Sequence, residues 1–208
     1  GLLNIEREVA MSGPIHDKGV LILHSYLAAL FAHIAPLSMN AAVVFEQEYG
    51  GVEGDSASCA ELFALLSSLS GLPLRQGIAV TGAVNQHGEL LPVGGINEKI
   101  EGYFRSCELL GLDGQQGVLM PARNRRHLML HERVVQAVAQ GRFHIHMANE
   151  VGDGLALLTG WPFGQLAAGG YPAQTVLGRA QKTLLDFRRA CEALALRRAG
   201  PRGRKKRS

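Results

Sequence analysis

The chain has 208 residues, enough for one substantial core and a small appendage. Hydrophobic residues make up 47% and charged residues 19%, a balance that excludes a disordered or fibrous chain. The net charge of +3 is uneven: from Val151 onward there are 11 Lys+Arg against 3 Asp+Glu, with the excess gathered after Arg197.

Apolar runs such as Val20 to Leu23 and Ala60 to Leu66 fall far short of the roughly 20 residues that span a bilayer, so no membrane role is expected. Cys59, Cys107 and Cys191 are odd in number and scattered. With no CxxC or Cys/His ligand spacing, they point to reduced thiols in a cytoplasmic protein. The start, Gly1-Leu2-Leu3-Asn4-Ile5-Glu6, has neither an initiator Met nor a signal-peptide pattern, and reads as part of a longer polypeptide.

In chain order, Asn4 to Ser12 alternates reasonably for a strand, with Ile5, Arg7, Val9 and Met11 on one side and Glu6 and Glu8 on the other. Gly13-Pro14 predicts a turn, with the connection ending at Lys18-Gly19. Leu23, Leu27, Leu30, Phe31 and Ile34 then recur at helical spacing, predicting a helix from Val20 to Ile34 closed by Pro36. Ala41 to Glu48 is predicted as a strand and Ser56 to Leu69 as a helix stopped by Gly71 and Pro73. Ile78 to Val84 reads as a strand, and Gln86-His87-Gly88-Glu89 as a hairpin turn returning through Leu90 to Val93.

Gly94-Gly95 breaks that strand, and a helix opens near Asn97 and runs to Gly111. Gly117 to Pro121 reads as a short buried strand, His131 to Ala139 as a helix, Phe143 to Met147 as a strand and Val151 to Leu158 as a helix. This alternation predicts a mixed α/β domain over residues 1–160. Residues 161–174 read as a linker, 175–198 as an amphipathic helix and 199–208 as a basic disordered tail. The helix carries Leu177, Ala180, Leu184, Phe187, Cys191 and Leu194 on one stripe. It needs an apolar partner in this domain or in a neighbouring subunit.

The candidate chemistry lies between Gly51 and Lys99. Gly51-Val52-Glu53-Gly54-Asp55-Ser56-Ala57-Ser58 places a serine on a glycine-flanked turn before an apolar helical run. Lys99 falls in the first turn of the helix after Gly94-Gly95. A serine hydroxyl is a poor nucleophile until its proton is removed. A lysine can remove it only when neutral, and moving lysine from its reference of about 10.4 to a useful 7 or 8 costs roughly 3–4 kcal/mol. Burial beside Ile96 and Ile100 and the positive end of the helix dipole are the expected means.

Backbone N–H groups at the mouth of the Ser56 helix are candidates for holding an oxyanion. Gly54 would let the backbone approach a substrate closely. Thr81, at a strand end, could orient the amine, and Asp55 could cap the helix or tune the charge. Asp-Ser-Ala-Ser is also an ordinary helix-cap pattern, and Ser58 competes as nucleophile. His87 stays open as a base, since triads are recognised by geometry. Cys59 reads as a buried core thiol. His127 with His131, and His144 with His146, lack a third partner for a metal.

Taken together, Gly51 to Ser58, Ala79-Val80-Thr81-Gly82, Gly88 to Gly95 and Glu98-Lys99-Ile100 closely resemble the proteolytic domain of Lon proteases. The resemblance covers roughly Ile5 to Gly160. It implies the Lon proteolytic fold, a Ser-Lys dyad peptidase with Ser56 as nucleophile and Lys99 as base, and Thr81 in support. Val118-Leu119-Met120-Pro121 matches the family's strand ending in proline. Asp55 before the serine looks more like the LonB branch, where an aspartate here contacts the lysine in an inactive arrangement. Gly102-Tyr103-Phe104 departs from the commoner Ala-rich helix, which bears on substrate preference.

Lon proteins join this domain to an AAA+ ATPase and act as hexameric rings on unfolded protein. This chain has no Gly-x-x-x-x-Gly-Lys-Ser/Thr phosphate loop, so it holds no cofactor itself. ATP with Mg is expected on a domain outside it. A reading of a different class is a non-catalytic Lon-like module for oligomerisation and nucleic-acid binding. Arg202, Arg204, Lys205, Lys206 and Arg207 would then meet phosphates.

Overall fold

The computed structural model describes residues 2–4, 12–34, 39–45 and 50–198. Its elements in chain order are β1 (Leu2–Asn4), α1 (Pro14–Leu30), β2 (Ala41–Val43), α2 (Ser58–Ser70), β3 (Ile78–Val80), β4 (Ala83–Val84) and β5 (Leu90–Leu91). There follow α3 (Ile96–Leu110), β6 (Gly117–Pro121), a 3-10 turn (Ala122–His127), α4 (Glu132–Ala139), β7 (His144–Ala148), α5 (Val151–Thr159) and α6 (Val176–Arg198). The mixed α/β class read from the sequence is the class observed. Most of the predicted strand from Asn4 to Ser12, and the basic tail 199–208, lie outside the described residues.

The central sheet is parallel, in the order β3-β6-β7, with β6 in the middle. β6 is buried at every position, which suits the unbroken apolar run Val118-Leu119-Met120. Successive side chains of a strand point to opposite faces, and β6 serves two cores in that way. Leu119 joins the cluster built from α1, α2, α5 and α6, whereas Val118 and Met120 join the one built from α3 and α4. The hairpin β4-β5 and the parallel pair β1-β2 stand apart from this sheet.

Three local expectations change. The first described helix begins at Pro14 and not at Val20, because proline is favoured in the first helical turn, where its missing N–H costs nothing. Gly19 lies within that helix and does not end a connection. It is buried, and a Cβ there would sit 3.3 Å from Asp55 Cβ, so its lack of a side chain lets α1 close on the turn that carries Ser56. Ile78 to Val84 is two short strands, interrupted at Thr81-Gly82.

Of the two partners left open for the last helix, its own domain provides one. Val176, Leu177, Ala180 and Leu184 are buried in the α1-α2-α5 core, while Phe187, Cys191 and Leu194 are exposed. Phe63 of α2 fills the centre of this core. It is fully buried, and a Cβ on Gly154 of α5 would come within 2.5 Å of its ring. Phe63→Ala is therefore expected to cost about 3–5 kcal/mol, read as a lowered denaturant midpoint in equilibrium unfolding.

Candidate active site

Ser56 lies in the turn just before α2, and main-chain hydrogen bonds fix it. Gly82 N–H donates to Ser56 O at 2.9 Å, and Cys59 N–H donates to Gly82 O at 3.1 Å. Next to Gly82, Thr81 N–H donates to Leu119 O of β6 at 3.1 Å. The serine turn is thus stitched to the end of β3, and that end to the central strand. Gly54, in the stretch just before α2, has φ +84°, a left-handed backbone that favours glycine. A Cβ there would meet nothing within 4 Å, so within the chain its backbone angle, and no close approach, calls for glycine.

Lys99 arrives from the other side. The segment leading into α3 is held by Asn124, only 1% exposed. Its Oδ1 accepts from Val93 N–H at 3.0 Å and its Nδ2 donates to Val93 O at 2.9 Å. Asn97 repeats the device: Nδ2 donates to His127 O at 3.0 Å, and Oδ1 accepts from Met129 N–H at 2.9 Å. Lys99 Nζ then stands 2.9 Å from Ser56 Oγ and 3.4 Å from Thr81 Oγ1. The hydroxyl of Thr81, which is 9% exposed, also lies 3.5 Å from Ser56 O. Nζ and Oγ are within proton-transfer distance.

The surroundings differ from expectation in several respects. Lys99 is exposed, and the described residues do not wrap it in a dry pocket. Two of the helix-mouth N–H groups are already taken, that of Ser58 by Asp55 O at 3.0 Å and that of Cys59 by Gly82 O. The N–H groups of Ser56 and Ala57 have no partner among the described residues and remain for an oxyanion. Asp55 is exposed, and no side chain caps α2; its carbonyl does the local work. Among the described residues no ion pair joins Asp55 to Lys99.

The competitors are placed elsewhere. Ser58 is buried, and its Oγ accepts from Val84 N–H at 3.1 Å, which turns it toward β4. His87 is exposed in the hairpin turn and makes no hydrogen bond with Ser56 or Lys99. His131 caps α4, its Nδ1 accepting from Arg133 N–H at 3.2 Å. His144 and His146 stack on each other, ring centroids 5.8 Å apart. No group of three or more possible metal ligands occurs among the described residues. Asn97 and Asn124 carry positioning roles that the sequence reading missed. A polar residue just beyond a buried strand must find partners, but the strand alone does not name them.

The chain belongs to the family of Lon protease C-terminal proteolytic domains, whose model matches residues 49–159. It is a protease-type domain of that family. It is 46% identical over 155 residues to a Lon protease homolog of Escherichia coli, covering 74% of this chain and 26% of the relative. A Lon protease homolog of Haemophilus influenzae is 40% identical over 159 residues, again covering 26% of the relative. An archaeal Lon protease of Archaeoglobus fulgidus is 32% identical over 120 residues, covering 56% of this chain and 18% of the relative. The chain therefore spans about a quarter of the length of the first two. No described helix is long and apolar enough to cross a membrane.

Cys59, close to Ser56 in sequence, is fully buried, and burial pushes its thiol up to about 12. The thiolate is the reactive form, so a raised value suppresses alkylation. At pH 8, iodoacetamide is expected to label the exposed Cys191 about 1,000-fold faster than Cys59 in the folded protein, measured by peptide mass spectrometry.

Proposed function

We propose that this chain is the peptidase part of an ATP-dependent serine endopeptidase that degrades unfolded or misfolded protein. The 2.9 Å approach of Lys99 Nζ to Ser56 Oγ carries the reading. In its neutral form the Lys99 amine accepts the Ser56 hydroxyl proton as Oγ bonds to the substrate carbonyl carbon. The developing oxyanion accepts hydrogen bonds from the Ser56 and Ala57 N–H groups. The ammonium of Lys99 then returns the proton to the departing amide nitrogen, leaving an acyl group on Oγ. Lys99 next takes a proton from water as the water oxygen attacks the ester carbon, and returns that proton to Oγ as the C–Oγ bond breaks, releasing the carboxyl product and restoring the neutral amine and the Ser56 hydroxyl.

Thr81 orients the amine through its hydroxyl, and Asp55 tunes the local charge. Bound peptide and a neighbouring subunit of a hexameric ring cover Lys99 and keep water out. ATP with Mg acts on an ATPase domain outside this chain, in keeping with the greater length of the relatives. Three free cysteines suit a reducing cytoplasm.

In the full-length protein, with ATP and a labelled unfolded substrate, Ser56→Ala and Lys99→Ala are each expected to lower kcat at least about 1,000-fold. Lys99→Arg should fail equally, because guanidinium keeps its proton. Ser58→Ala should retain turnover while losing about 1 kcal/mol of stability with its buried hydrogen bond. Turnover that survives Ser56→Ala, or that is lost with Ser58→Ala at full folding, would overturn the assignment.

A further inference from the structure

Parallel sheets bind ligands beyond the carboxyl ends of their strands. Here that edge carries more than the dyad. β3 runs into Thr81, and β6 runs into the 3-10 turn Ala122-Arg123-Asn124-Arg125-Arg126-His127. Arg123, Arg125, Arg126 and His127 are all exposed in that turn. Arg123 reaches Glu89 Oε1 at 3.6 Å, whereas Arg125 and Arg126 have no ion-pair partner among the described residues.

The turn is tied to the segment that leads to Lys99. Asn124, in its middle, holds Val93 by two hydrogen bonds, and its last residue, His127, is held by Asn97, two residues from Lys99. Pro92, Ala122, Arg123, Arg125 and Arg126 line an open cavity of about 750 Å³. Guanidinium groups with no ion-pair partner among the described residues suit carboxylates, which arginine grips in two-pronged fashion. The turn starts beside the serine scaffold: a Cβ on Gly82, whose N–H holds Ser56 O, would lie 3.4 Å from the Pro121 ring, and an extended peptide advances about 3.3 Å per residue away from that point.

We propose that Arg125 and Arg126 form a subsite for acidic side chains, so that peptides with Asp or Glu a few residues from the cleaved bond are preferred. The proposal rests on the Ser56-Lys99 peptidase reading. A peptide fits better than nucleic acid, because the turn follows directly on the strand end that holds the serine turn, and a carboxylate of the chain, Glu89, already pairs with Arg123 there.

The test uses the full-length protein with ATP and a set of fluorogenic peptides in which one Glu is moved along an otherwise neutral sequence. Matched peptides carry Gln or Lys at the same place. At one or two positions, kcat/KM for Glu over Gln is expected to be about fivefold, the scale of an exposed ion pair. The ratio should shrink as salt is raised. Arg125→Gln with Arg126→Gln should bring it to about one, and Arg125→Glu with Arg126→Glu should turn the preference toward Lys, an inversion that loss of structure cannot produce.

Ser56-dependent cleavage with no acidic preference would overturn the subsite and leave the peptidase standing. Absence of Ser56-dependent cleavage would overturn both. If the Glu preference survived both double variants while binding to a labelled RNA oligonucleotide was lost, or if the variants changed ring assembly in sedimentation, the turn would serve a different partner and the proposal would fail.

Discussion

Everything in the site hangs from one buried strand. β6 accepts the Thr81 N–H through Leu119 O, and just past its end Asn124 grips Val93 on both main-chain sides. The first tie fixes the serine turn, since Gly82 N–H holds Ser56 O. The second fixes the approach to the helix bearing Lys99. Ser56 and Lys99, 43 residues apart, therefore share one reference frame. A buried strand paired on both sides is a stiff support, because its hydrogen bonds cannot be exchanged with water. A distance of 2.9 Å between amine and hydroxyl needs such stiffness, as a displacement of 1 Å costs orders of magnitude in rate.

Local rules read much of this from the residues. Gly71 ends α2 in a left-handed conformation, the hairpin forms around Gly88, and β6 is a continuous apolar run with no polar face. The start of α1 was misread because Gly13-Pro14 and Gly19 look like punctuation. The glycine inside the helix is explained by what packs on it, Asp55, which lies 36 positions on and is invisible to any local window. The pair Ser56 and Lys99 was legible as chemistry, and the ordered motifs around it raised that reading far above what spacing alone allows. The stitching was not. The bonds of Asn124 and Asn97 join segments about 30 residues apart, and nothing in an asparagine codon neighbourhood specifies its partner.

Which serine faces the lysine is set by where the helix begins. Ser56 lies in the turn before α2 and Ser58 is its first helical residue, so the two hydroxyls have different surroundings. One lies against Lys99 and the other against Val84 N–H. The sequence contains both hydroxyls in nearly the same setting. The strand break at Thr81-Gly82 distinguishes them, since it presents Gly82 N–H to Ser56 O and Val84 N–H to Ser58 Oγ along one short stretch of chain.

The exposure of Lys99 separates geometry from electrostatics. Making a lysine serve as base near neutrality costs roughly 3–4 kcal/mol relative to its ordinary state in water. Lys99 lies in the first turn of α3 with its side chain exposed, so among the described residues the amine is placed but open to solvent. The dyad is thus preorganised in distance and incomplete in its environment. Distance and solvation are therefore set by different parts of the structure: the strand β6 and the two asparagines place the amine, and its exposure leaves its surroundings to whatever next packs against that face.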